Sequence, residues 1–117
     1  MLSEKELVRA CYTDGVLTVS LSGEIDHHTA KPIREQIDKQ LYRHHPEETV
    51  LSLGGVSFMD SSGLGLILGR LSLCRHFGCR LRVIDADERA RKIFALSGME
   101  RIEGLVIEGL CEKEGIL

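Results

Sequence analysis

Short apolar runs with strand character alternate with longer runs of helical period along this chain, and that alternation restricts the fold more than anything else in the sequence. Residues 50–53 (Val-Leu-Ser-Leu) read as a strand, and residues 62–77 as a helix stopped by Gly78. Residues 80–84 read as the next strand. Asp85 or Asp87 then caps a helix that holds Ala90, Ile93 and Phe94 on one side and ends at Gly98. Residues 102–107 supply a last short strand, and residues 108–117 one or two weak helical turns. Strands separated by helices run parallel and cross over right-handedly.

The N-terminal part follows a different rule. Residues 7–12 and 16–21 are β-rich and are separated by Thr13-Asp14-Gly15, whose Asp-Gly pair supplies the positive-φ turn of a hairpin. Residues 29–44 form a helix with Thr29 as N-cap, Pro32 in the first turn and Ile33, Ile37 and Leu41 on the buried face. The expected fold is therefore α/β. It has a mixed, mostly parallel β-sheet with an antiparallel N-terminal edge hairpin and covering helices, in one domain spanning residues 1–117.

Composition removes several function classes. At 43% apolar and 28% charged residues the 117-residue chain is globular and large enough for one core. A net charge of −3 argues against nucleic-acid binding, which needs a basic face. No apolar run approaches the ~20 residues of a membrane span, and the first ten residues lack the apolar stretch of a signal peptide. A cytoplasmic protein is expected. Cys11, Cys74, Cys79 and Cys111 contain only one close pair, a poor zinc signature, so buried thiols are expected for Cys74 and Cys11.

Residues 58–65, Phe-Met-Asp-Ser-Ser-Gly-Leu-Gly, are the chemically distinctive segment. They put a carboxylate and two hydroxyls at the mouth of a helix, where unpaired N–H groups favour negative charge. Three uses of a serine placed there remain open: an N-cap, a contact to a phosphate ligand, or a phosphorylation switch. Gly23 to Thr29 form a second polar loop, which leaves the sheet at the same edge and should lie beside Asp60 and Ser61. Adjacent His27 and His28 are expected to point in different directions, so no metal site is read there.

Within the helix, Leu64, Ile67, Leu68, Leu71 and Cys74 form a stripe expected to face the sheet. Ser62, Gly65, Gly69, Ser72 and His76 form another, nearly bare of side chain. Each mid-helix glycine costs roughly 0.5–1 kcal/mol relative to alanine, so a reason is needed. Either another backbone of the same domain packs there, or the strip docks a partner with Leu66 and Leu73 flanking it. Enzyme motifs are absent. The G-x-S-x-G elbow is not formed, the glycines lie inside the helix rather than before it as in a dinucleotide loop, and no Gly-Lys-Ser/Thr occurs.

Gly23-Glu24-Ile25-Asp26-His27-His28-Thr29-Ala30, with residues 57–65 and Ile67-Leu68-Gly69-Arg70, resembles the STAS family, and within it the anti-sigma factor antagonists of the sporulation sigma-F type. The resemblance covers essentially the whole chain and implies a non-enzymatic switch without a cofactor. Carried over, Ser61 is the residue phosphorylated by an anti-sigma factor that is also a serine kinase, and a PP2C-type phosphatase removes the phosphate. The unphosphorylated form would bind the anti-sigma factor and so free the sigma factor indirectly. Asp60, Ser62, Gly65, Leu66, Gly69, Leu73, Asp26 and His27 are the expected partner-binding residues of a monomer. The alternative is a nucleotide- or anion-binding regulatory domain that uses the helix start at Asp60 to Ser62.

Overall fold

The computed structural model describes residues 7–109. Its five-stranded sheet has the order β1-β2-β3-β4-β5, with β1 (Val8–Thr13), β2 (Val16–Ile25), β3 (Glu48–Met59), β4 (Arg80–Ala86) and β5 (Leu105–Gly109). The β1–β2 pair is antiparallel and the other three pairs are parallel. The hairpin turns on Asp14 (φ 53°) and Gly15 (φ 82°), the left-handed pair anticipated from Asp-Gly. Helices α1 (Ala30–His44), α2 (Ser61–Phe77) and α3 (Glu88–Ser97) make the crossovers.

Register aligns the core across the strands. Leu17, Thr49, Leu81 and Leu105 form one lateral row, and Val19, Leu51, Val83 and Ile107 the next. All are buried except the half-buried Ile107, whereas the intervening Thr18, Ser20, Ser52 and Arg82 are half-buried, with Val50 of the central strand buried as well. Such period-two burial marks a sheet with one face under the helices. Ile33, Ile37 and Leu41 of α1 are fully buried, as their i+4 spacing requires, and Ala90 and Phe94 anchor α3. Asp87, rather than Asp85, caps α3 by accepting the Ala90 N–H at 2.8 Å.

Strand boundaries differ from the sequence reading. Strand β3 runs to Met59 instead of stopping at Leu53, because Gly54 and Gly55 do not break it. At Gly55 a Cβ would stand 2.8 Å from Ser22 Oγ and 3.0 Å from the Leu21 carbonyl, so the glycine admits close approach at a register shift with β2. Strand β5 begins at Leu105, not 102, since Met99–Arg101 form a 3-10 turn and the Leu105 N–H still bonds the Ile102 carbonyl. Cys11 is exposed, contrary to expectation, because β1 is an edge strand that buries little beyond Val8. Cys74 is buried as expected, and Cys79 is buried as well. Cys111 and the turns anticipated at the C-terminus lie outside the described residues.

Candidate functional site

The two polar loops do meet. Ile25 and Met59 are register partners at the ends of β2 and β3, and the Asp60 N–H donates to the Ile25 carbonyl at 3.1 Å. Asp60 is the N-cap of α2: its Oδ1 accepts from the Ser62 N–H at 2.8 Å and its carbonyl from the Gly63 N–H at 2.9 Å. Ser61 is the first helical residue and is exposed, while Ser62 is half-buried. The carboxylate is thus committed to the helix start, and the neighbouring hydroxyl faces solvent.

Thr29 stands at the N-cap position of α1, as its place in the sequence suggested, but not as a side-chain cap. Its backbone is already helical and makes no side-chain cap bond. Asp26 takes that role, with Oδ1 accepting from the N–H groups of His28 (2.9 Å) and Thr29 (3.0 Å). Thr29 Oγ1 returns a bond by accepting from the Asp26 N–H at 2.9 Å. The backbone donor of Thr29 is the largest influence holding the Asp26 carboxyl below its usual range. His27 and His28 do not diverge, and their ring centroids lie 3.9 Å apart.

Helix α2 is rolled relative to the expected orientation. Gly63, Leu66, Ile67, Arg70, Leu71 and Cys74 are its buried residues. Leu66, read as an outward contact, is 5% exposed and belongs to the core; Leu68, read as sheet-facing, is 40% exposed. Leu73 is partly buried against the core, as is Leu64. The roll follows from Gly63, where a Cβ would overlap the Met59 side chain and stand 3.6 Å from Ile25 Cγ2. With no side chain at 63, the helix start settles directly onto the ends of β2 and β3. That contact sets which residues one and two turns later point inward.

The outward stripe therefore runs through Ser61, Gly65, Leu68 and Ser72, all exposed, with Gly69 half-buried beside it. No heavy atom outside the local helix lies within 4 Å of a Cβ built on Gly65 or Gly69. Internal packing against a neighbouring backbone is thereby excluded as the reason for these two glycines among the described residues.

An open groove separates α1 from α2. Towards the serines it is lined by His27, Lys31, Arg34, Ser62 and Gly65. One turn further it is lined by Asp38, Tyr42, Gly69, Arg70, Leu73 and His76. Arg70, only 6% exposed, brings Nε to 2.8 Å from Asp38 Oδ1. That ion-pair contact is short, yet the N–H is not directed at the oxygen, and Nη1 has no hydrogen-bond partner among the described residues. Burial raises the Asp38 carboxyl and lowers Arg70, each only partly opposed by the attraction between them. Arg34 is close enough to act on both. Lys31, Arg34 and Asp38 were not singled out from sequence, Leu68 was read as sheet-facing, and Arg70 entered only as part of a family motif. The 31, 34, 38 spacing marks one face of α1, but only packing against α2 makes that face the wall of a groove.

Residues 9–110 match the STAS domain family. The chain is 46% identical over 88 residues to the anti-sigma F factor antagonist of Paenibacillus polymyxa, spanning 75% of each protein. It also superposes on the anti-sigma factor antagonist SpoIIAA in its unphosphorylated form, with a TM-score of 0.67 and 27% identity over 93% of this chain and 94% of the other. The phosphorylated form of the Bacillus cell fate determinant SpoIIAA gives a TM-score of 0.67 and 28% identity over 93% of this chain and 96% of the other. With the matching fold and the Asp-Ser-Ser-Gly helix start in place, this chain belongs to the STAS domain family.

Proposed function

We propose that this protein is an anti-sigma factor antagonist whose affinity for its anti-sigma factor is set by phosphorylation of Ser61. The observation that carries this reading is an exposed hydroxyl at the first position of α2, heading a stripe whose glycines meet nothing within the described chain. In the unphosphorylated state the stripe docks the anti-sigma factor and the sigma factor is released. The anti-sigma factor, acting as an ATP-dependent serine kinase, transfers a phosphoryl group to Ser61 Oγ, and a PP2C-type phosphatase removes it.

Phosphate adds about −1.5 to −2 charge at the rim of the docking surface. The start of α2 tolerates that charge, because a helix N-terminus favours an anion by roughly 0.3–1 kcal/mol when exposed. The fold persists while a closely docked partner meets bulk and repulsion. Asp60 and Asp26 act by shaping the two loops, Ser62 lies between them, and Gly65, Gly69 and Leu73 form the surface. Leu66 supports that surface from beneath.

The alternative, an anion or nucleotide cradle at the same helix start, is less well supported. Asp60 already occupies the N–H groups of Ser62 and Gly63, two donors such a cradle would use. Incubation with the anti-sigma factor kinase and ATP, followed by mass-spectrometric mapping, tests the reading. Phosphate on the wild type and on Ser62→Ala, but not on Ser61→Ala, is the expected result. No phosphate from a verified active kinase would return the ligand-binding alternative to the front.

A further inference from the structure

Resting on that reading, we infer that the groove between α1 and α2 is a second part of the docking surface and takes an acidic segment of the anti-sigma factor. Three observations converge on it. First, Lys31 and Arg34 line the groove and Arg70 forms its floor, against Asp38 as the one carboxylate lining it among the described residues. A cationic groove on a chain of net charge −3 selects for a partner surface of negative charge.

Second, Arg70 is more than nine-tenths buried and lines the groove, yet Nη1 lacks any acceptor among the described residues and Nε is poorly aligned with Asp38. A buried guanidinium ordinarily has its donors filled, because an unfilled one loses its hydration without return. Nε and Nη1 are themselves closed to solvent, so a carboxylate entering between the helices would act on this guanidinium through its negative charge rather than by reaching those two atoms. Third, Gly65 and Gly69 form the α2 wall and leave open space where side chains would narrow the groove. The groove begins beside Ser62, so it is continuous with the surface that Ser61 controls.

The geometry also assigns different tasks to the two levels. Lys31 and Arg34 at the solvent level accelerate encounter with the acidic segment. Arg70 below them holds it and slows its departure. Rim charges act mainly on association and its salt dependence, whereas buried charges act on dissociation.

Association and dissociation rates with the anti-sigma F factor of the same organism, followed from low salt to about 0.5 M, test this assignment. Lys31→Glu/Arg34→Glu should slow association roughly tenfold at low salt and flatten its salt dependence. Asp38→Asn/Arg70→Met removes both partners of the pair together and should speed dissociation by about tenfold or more, with association little changed. Circular dichroism and thermal unfolding establish that each variant is folded; the exposed double change keeps the test decisive if the buried one is not. Wild-type rates and salt slope in a folded Lys31→Glu/Arg34→Glu protein would overturn the groove while phosphorylation at Ser61 left the switch standing. Absence of both binding and Ser61 phosphate in the wild type would overturn the two readings together.

Discussion

Gly63 and Gly65 sit two residues apart on α2 and do opposite work. Gly63 faces inward, where a methyl group would overlap Met59, and its lack of a side chain lets the helix start rest on the ends of β2 and β3. Gly65 faces outward with nothing near its Cβ position, and Gly69 repeats this one turn later. The inner face of the helix is thus optimised for the fold. The outer face keeps two poor helix formers that the fold does not require. On the proposed reading, stability and docking belong to the two sides of one helix, and the separation makes them independently testable.

The largest effect expected is on the outer face. Ser61→Glu should weaken binding to the anti-sigma factor roughly 100-fold or more, since like charge and bulk at a docked surface cost several kcal/mol. Its unfolding free energy should stay within about 0.5 kcal/mol of wild type, as for other exposed substitutions. Calorimetric titration beside urea unfolding measures both, and a large loss of secondary structure would mean that the switch works by refolding instead. Gly63→Ala sharpens the inner side: overpacking against Met59 should destabilise the protein by about 1–3 kcal/mol. A neutral result would show that Met59 can move aside and that Gly63 does not fix the roll of α2.

Gly65→Ala and Gly69→Ala come next and have the opposite sign. Each should stabilise the fold by about 0.5–1 kcal/mol, while Gly65→Leu should impair docking without unfolding the domain. Destabilisation by Gly65→Ala would break the comparison, because it would reveal internal packing on the outer face. The smallest effect is silent at neutral pH. Burial, with the nearby Cys79, pushes the Cys74 thiol up to about 12 from an ordinary 9.0. A thiol whose folded pKa is raised keeps its proton where the unfolded chain loses it, so its contribution is complete below about 9 and disappears as pH rises towards 12. Urea midpoints of wild type should therefore fall more steeply across that interval than those of Cys74→Ala. Parallel curves would show that the inner face admits the thiolate.

Much of the framework was legible because the signals were local. Asp14-Gly15 demanded a left-handed turn, Ile33, Ile37 and Leu41 recur at one helical face, and Gly78 and Gly98 close their helices in the left-handed conformation at φ 73° and 78°. Asp60 beside Ser61 marked the capped start of α2 in the same local way, and the cap is present. Thr29 holds the expected N-cap position, but that Asp26 supplies the side-chain bonds in its place depended on loop hydrogen bonds with no sequence signature. Gly54 and Gly55 misled because a glycine pair reads as a break until the neighbouring strand is in place.

The sequence by itself determined the order of strands and helices, the hairpin, the capped serine and the presence of a glycine strip on α2, all consequences of backbone preference and hydrophobic period over a few residues. Only the tertiary structure decided which leucines of α2 face inward. Leucine occupies 64, 66, 68, 71 and 73, so composition allows more than one roll, and contact between Gly63 and Met59 selects one. It also brought Arg70 against Asp38 and placed Lys31 and Arg34 along the same groove. Those residues lie about 30 positions or more from their α2 neighbours, and pairings at that separation arise from packing two helices on one sheet, which no local pattern encodes.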